Sequence, residues 1–186
     1  MPEKYKKTLA LASALFPDEK WISTEHNIWV AKSRLSQKER EAKKWEKEMS
    51  QARILTNRGS VAFFLPDLFL HAGKGSQSAD LVLDGEVVEM KTITSSSRET
   101  LGGKFKKGYK QGALLLQNYK IKGNEITNVH SVFIRLLSDI PIKSVKAKIA
   151  GVLKYHLDDG KLICFFDKTG ELYTWTFDEL RAIIGT

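Results

Sequence analysis

The amino-acid sequence predicts a mixed α/β chain of the α+β kind, in which a central mixed sheet with one key hairpin is flanked by helices and preceded by a helical extension. Three observations carry that prediction. The stretch "ADLVLDGEVVEMK" sets two short apolar runs on either side of Asp84-Gly85, the strongest short-range signal for a two-residue hairpin turn. The runs "SVAFFLP" and "HSVFIRLL" are apolar almost throughout and of strand length. Between and after them lie longer segments with apolar residues at helical spacing, giving the order helix, strand, hairpin, helix, strand, helix, hairpin.

Taken in order, Glu3 to Leu15 reads as an amphipathic helix stopped by Pro17. Its basic cluster and apolar run imitate a signal peptide loosely, but the apolar part is short and interrupted by polar residues. Residues 1–35 are expected to form a helical extension with irregular structure, anchored by Trp21, Ile22, Trp29 and Val30, ahead of a main domain over 36–186. "SQKE" reads as a capping box, with Ser36 as N-cap and Glu39 three residues on, opening a helix whose Trp45, Met49, Ala52 and Leu55 recur on one face until Gly59 ends it. "SVAFFLP" follows as a buried strand and "DLFLHAGKGSQS" as a loop with room to move. After the hairpin, "SSSRETLGG" reads as a second loop. "KFKKGYKQGALLLQNYKI" reads as a helix despite Gly108 and Gly112, each costing up to ~1 kcal/mol there. "HSVFIRLL" is a strand, "SVKAKIAGVLKY" a helix, and "KLICFFDKTGELYTWTF" a hairpin turning at Lys168-Thr169-Gly170, before a short helix near Asp178 to Ile184.

Composition narrows the function classes. The 186 residues are 42% hydrophobic, and no stretch approaches 18 apolar residues, so no membrane insertion is expected. A lone Cys164 within "LICFF" excludes a disulfide framework and a thiolate metal site, and reads as a buried small hydrophobe. His26, His71, His130 and His156 show no ligand spacing, although His71 sits in the glycine-rich loop leading to Asp80. The net charge of +8 suggests an anionic partner. From Thr100 to Lys122 there are six lysines and no acid, interleaved with Phe105, Tyr109 and Tyr119: a solvated face, or a track for phosphates with Lys104, Lys106, Lys107 and Lys110 as contacts.

A two-residue turn at Asp84-Gly85 pairs Leu83 with Glu86, Val82 with Val87, Leu81 with Val88 and Asp80 with Glu89. Two carboxylates opposite each other on an antiparallel pair repel, by about 3 kcal/mol at ~5 Å and an effective dielectric near 20. Side chains alternate along a strand, so Lys91 shares a face with Glu89, and Asp80 lies on that face across the ladder. Two carboxylates can hold Mg²⁺ or another divalent cation, which removes their repulsion and polarises a phosphoryl oxygen. A lysine beside them can stabilise charge developing on that phosphorus centre. The plainer alternative is an exposed hairpin in which Lys91 neutralises both acids.

The strand-turn-strand "ADLVLDGEVVEMK" resembles the core of the PD-(D/E)xK nuclease superfamily, with Ala79-Asp80 in place of the usual Pro-Asp. Residues 46 to about 137 are similar to the C-terminal tRNase toxin domain of contact-dependent growth inhibition (CdiA) proteins, relatives of which occur in phage and mobile elements. That resemblance implies an N-terminal helix carrying an acid, a strand, the active-site hairpin with D and ExK, and a helix carrying a glutamine. Glu48 fits the first part: spaced 4, 3 and 4 from Ala52, Leu55 and Gly59, it shares their face and should need a partner. Gln111 in "GYKQGALLL" fits the last. The implied catalytic set is Asp80, Glu89, Lys91, Glu48 and Gln111. Asp80 and Glu89 would hold the metal, Glu48 complete or tune its shell, Lys91 stabilise the transition state, and Gln111 orient water or a metal ligand. The implied activity is endonucleolytic phosphodiester hydrolysis, with tRNA the favoured nucleic acid. An acidic immunity protein is the implied partner, and the cytoplasm is the site of action after delivery as part of a secreted effector. Two alternatives stand beside it: a DNA endonuclease of a mobile element, and an inactive nucleic-acid- or protein-binding module of the same fold.

Overall fold

The computed structural model describes residues 2–35, 41–66, 79–120 and 129–183. The chain divides into two compact units, residues 1–88 and 89–186.

The first unit begins with α1 (Glu3–Leu15), which stops just before Pro17 as the sequence predicts. Residues 21–31, expected to be irregular within a helical extension, instead form a β hairpin, β1 (Trp21–Glu25) and β2 (Ile28–Ala31), turning through Asn27 at φ 58°. The signal was the pair of short runs "WISTE" and "IWVA" around His26-Asn27, since asparagine tolerates the left-handed turn conformation. Strand β2 runs parallel to β3 (Ala62–Phe64), matching Trp29 with Phe63, and this gives the hairpin its apolar support. The Trp29 and Phe63 rings stack at 5.1 Å, and Tyr5 of α1 meets Trp29 edge-on at 4.7 Å.

Helix α2 (Lys32–Leu35) is a single turn, and α3 (Ala42–Thr56) buries Trp45, Met49, Ala52 and Leu55 as the spacing predicts. The expected capping box at Ser36 and Glu39 lies outside the described residues; α3 starts at Ala42 with no side-chain cap bond from Glu41. Gly59, at φ 85°, turns the chain after the helix. Strands β4 (Leu81–Leu83) and β5 (Glu86–Ile93) have the predicted register: Leu81 faces Val88, Val82 faces Val87 and Leu83 faces Glu86. Asp84 and Gly85 both take positive φ, 50° and 89°, as a type I′ turn requires. Asp84 also anchors the turn: its Oδ1 accepts the Val61 N–H at 2.9 Å and its Oδ2 lies 3.2 Å from Lys4 Nζ.

The second unit takes the rest of β5, then α4 (Arg98–Lys120), β6 (His130–Leu136), α5 (Ile142–Leu153), β7 (Lys161–Phe166), β8 (Glu171–Thr176) and α6 (Phe177–Ala182). Strands β6 and β7 are parallel, joined through α5, and β8 returns antiparallel to β7 around Gly170 at φ 72°. Helix α4 starts earlier than expected, so "RETLGG" is helix rather than loop. Ser97 Oγ accepts the Thr100 N–H at 3.3 Å, a capping bond that offsets part of the cost of Gly102 and Gly103. The core gathers Leu101, Phe105 and Tyr109 of α4 with Val132, Ile134, Leu162, Cys164 and Phe177. Each unit thus holds parallel and antiparallel pairs, and the chain is α+β with mixed strand pairing. Among the described residues no helix is long and apolar enough to cross a membrane.

Candidate functional site

The predicted site residues fall into two groups, one in each unit. In the first unit, Glu48 projects from α3 and Asp80 stands immediately before β4. They are linked by a residue that no sequence pattern marks, Arg34 on the short α2, which is buried. One guanidinium nitrogen, Nη1, donates to the main-chain carbonyls of Leu65 (2.8 Å) and Asp80 (2.9 Å). The other, Nη2, donates to Glu48 Oε2 at 2.6 Å. The guanidinium also lies over the Phe64 ring, 5.2 Å from its centroid. Glu48 on the packing face of its helix therefore has the partner its position demanded. Burial pushes the Glu48 carboxyl above the usual carboxylate range; Arg34 opposes the shift, and the Asp80 charge adds to it.

In the second unit, Glu89 and Lys91 lie on the same side of β5, as alternation predicts. Glu89 is only 2% exposed and its carboxylate is ion-paired with the Lys91 ammonium. Lys91 also donates to Gln111 Oε1 on α4 at 2.9 Å. Glu89, Lys91 and Gln111 thus form one chain of contacts, and the plainer alternative of an exposed hairpin does not describe Glu89. With its carbonyl oxygen given to Lys91, Gln111 keeps its amide N–H₂ for donation to a ligand or water.

Gly108 and Gly112, one turn apart on α4, are positions where the helix packs closely on β5 and β6. A Cβ on Gly108 would stand 3.0 Å from Val132 Cγ1 and 3.3 Å from Glu89 Cγ; one on Gly112 would stand 2.9 Å from the His130 ring. The sequence showed these glycines only as a cost to the helix, yet in the fold they are the notch that brings α4 down beside Glu89. The four candidate phosphate contacts, Lys104, Lys106, Lys107 and Lys110, are all exposed on α4. Lys104, Lys107 and Gln111 follow i, i+3, i+7 along one stripe, and Lys106 and Lys110 make a second row. This unit carries sixteen Lys and Arg against ten Asp and Glu, so +6 of the net +8 belongs to it.

His71 and the glycine loop lie outside the described residues. Cys164 is buried, and burial pushes its thiol up to about 12. Among the described residues no group of three or more His, Cys, Asp or Glu is gathered as a metal cage. A small hard cation does not need one: Mg²⁺ is commonly held by one or two carboxylates and completes its shell with water and substrate phosphate. Asp80 in the first unit and Glu89 in the second are carboxylates of that kind. No protein-family model matches the chain, and no curated protein or solved structure matches it.

Proposed function

We propose that this protein is a metal-dependent nuclease of the PD-(D/E)xK type that hydrolyses phosphodiester bonds, with tRNA its favoured substrate and a tRNase-type toxin domain its role. The observation that carries this reading is the run Glu89–Lys91–Gln111, in which Glu89 is buried and the other two are half-buried. A buried ion pair is a poor source of net stability, because desolvating two charges offsets most of their attraction, so its presence here favours a chemical use. The hairpin register supports it further: one step outward along the sequence from the Leu81–Val88 pair come Asp80 and Glu89, the two acids of the D…ExK pattern.

In this reading Asp80 and Glu89 would hold a divalent cation, Mg²⁺ or a similar ion, which would offset their charge and supply polarisation of the phosphoryl oxygen. Water adds to phosphorus, losing its proton to bulk water, the bond to the leaving oxygen breaks and that oxygen takes a proton from water, and negative charge builds on the phosphoryl oxygens between those events. The Lys91 ammonium stabilises that charge. Gln111, its carbonyl tied to Lys91, uses its amide hydrogens to orient the water or a phosphate oxygen. Lys104 and Lys107 lead along α4 to Gln111 and grip neighbouring phosphates, with Lys106 and Lys110 beside them. An acidic immunity protein would complement the same basic surface.

The test is cleavage of total tRNA, single-stranded DNA and plasmid with Mg²⁺ and with EDTA, comparing wild type with Asp80→Ala and Lys91→Ala. Metal-dependent cleavage lost in both variants is the expected result. Cutting of DNA but not tRNA would move the protein to the mobile-element endonucleases. Folded protein that cuts none of these substrates would overturn the enzymatic reading in favour of a binding module.

A further inference from the structure

Arg34 is a buried cation of the first unit. Its three hydrogen bonds end on the Leu65 carbonyl, the Asp80 carbonyl and the Glu48 carboxylate, and its side chain is 6% exposed. Two of those acceptors belong to main chain on either side of residues 67–78, and the same Asp80 carbonyl accepts the Leu65 N–H at 3.1 Å. Arg34 therefore clamps the two ends of that segment together at the point where Asp80 enters β4. A guanidinium suits the task because its rigid fork can serve several planar acceptors at once, whereas an ammonium cannot keep that geometry.

From this geometry we propose that Arg34 and Glu48 are a positioning pair: Arg34 fixes the Asp80 peptide, and the Glu48 carboxylate is spent on balancing Arg34 rather than on binding the cation. The proposal rests on the nuclease reading for the use made of Asp80, and it revises the part that the family resemblance implies for Glu48. A buried guanidinium needs a compensating anion, and Glu48 supplies it at 2.6 Å; pulling that oxygen to a metal would leave Arg34 uncompensated. Arg34 acts on the site through the Asp80 main chain, so its removal should loosen Asp80 without altering Lys91 or Gln111.

Two measurements on the full chain test this. The first is hydrogen exchange of the Leu65 amide by NMR in wild type, Arg34→Met, Arg34→Lys and Glu48→Gln. The Asp84 amide, bonded to the Val61 carbonyl at 3.0 Å in the same unit, serves as internal control. Arg34→Met should speed Leu65 exchange at least ~10-fold while Asp84 stays within ~3-fold, and Glu48→Gln, which keeps an acceptor for Arg34 but removes its counter-charge, should speed Leu65 exchange less than Arg34→Met does. Should Arg34→Met fail to fold, Arg34→Lys reads the same effect, because one ammonium cannot hold all three acceptors. Leu65 protection unchanged in the arginine variants overturns the clamp. The second measurement is Mn²⁺ binding by calorimetry: Glu48→Gln should bind within ~3-fold of wild type and Asp80→Asn at least ~10-fold more weakly. Equal weakening in both would make Glu48 a ligand and overturn the proposal. Wild type that binds no Mn²⁺ would sink the nuclease reading alone, since the Leu65 amide would still decide the clamp.

Discussion

Gly108 of α4 lies against Glu89 of β5 so closely that a Cβ at Gly108 would stand 3.3 Å from Glu89 Cγ. Alanine at a helix-interior glycine normally adds about 1 kcal/mol of stability. Here that gain is opposed by a methyl that must displace Glu89 and Val132 by a few tenths of an ångström. Gly108→Ala should therefore leave stability within ~1 kcal/mol of wild type and lower the cleavage rate at least ~10-fold, because small misplacements of reacting groups are expensive. Gly103, on the same helix with nothing within 4 Å of its would-be Cβ, is the control. Gly103→Ala should raise the melting temperature and leave cleavage alone. Equal activity in the two variants would show that the notch does not set the Glu89 geometry.

The Glu89–Lys91 pair makes a prediction about stability that does not depend on catalysis. Their side chains are 3% and 13% exposed. Lys91→Met leaves the Glu89 charge buried without its ammonium and should cost about 3 kcal/mol in chemical denaturation. Adding Glu89→Gln should recover most of that loss, so the double variant ends within ~1 kcal/mol of wild type. The thermodynamic cycle should show a coupling above ~1 kcal/mol. Additive single effects would mean that water screens the pair.

These residues also show how much could be read before the fold was seen. The hairpin register followed from Asp84-Gly85 and side-chain alternation, both local rules, so the shared face of Glu89 and Lys91 was legible. Gln111 was found through its place in a motif, and its bond to Lys91 agrees with that choice. Arg34 was invisible because its importance lies in three acceptors 14 to 46 residues away in sequence, and no local pattern marks an arginine that serves distant carbonyls. The β1–β2 hairpin was missed for a related reason: its strands are short, and β2 gains its support from pairing with β3, 34 residues further along the chain. Gly108 and Gly112 were seen as faults in a helix because a close approach is a property of two elements, not of one.

Cys164 predicts a pH dependence. Burial pushes its thiol up to about 12 from an ordinary value of 9.0, so the folded protein keeps a proton that the unfolded chain releases. The sign follows: this contribution to stability is fully present below pH 9 and is lost as pH rises from there toward 12. At pH 8 the thiolate fraction should be roughly one in ten thousand, and a thiol-specific reagent should label Cys164 only as fast as the protein unfolds. Cys164→Ala should flatten the stability loss above pH 9. Rapid labelling of native protein at pH 8 would contradict the burial of this group.

The lysine rows on α4 give the last prediction, which separates a phosphate track from a merely solvated face. A lysine that neutralises a phosphate releases condensed counterions, so each such contact adds roughly 0.7 to 0.9 to the slope of log affinity against log salt. Lys104 and Lys107 lie on the stripe that ends at Gln111. Lys104→Gln with Lys107→Gln should lower that slope by about 1.6 for tRNA, measured in an Asp80→Ala background to suppress cleavage. The deficit in affinity should then shrink nearly tenfold between 50 and 200 mM salt. Lys143 and Lys154, exposed lysines of α5 and the residue that follows it, supply the comparison. Replacing both removes the same net charge and, if they lie off the track, leaves the slope within ~0.3 of wild type. A uniform response to both pairs would mean that the nucleic acid senses only the overall +8, and the four α4 lysines would lose their assigned role.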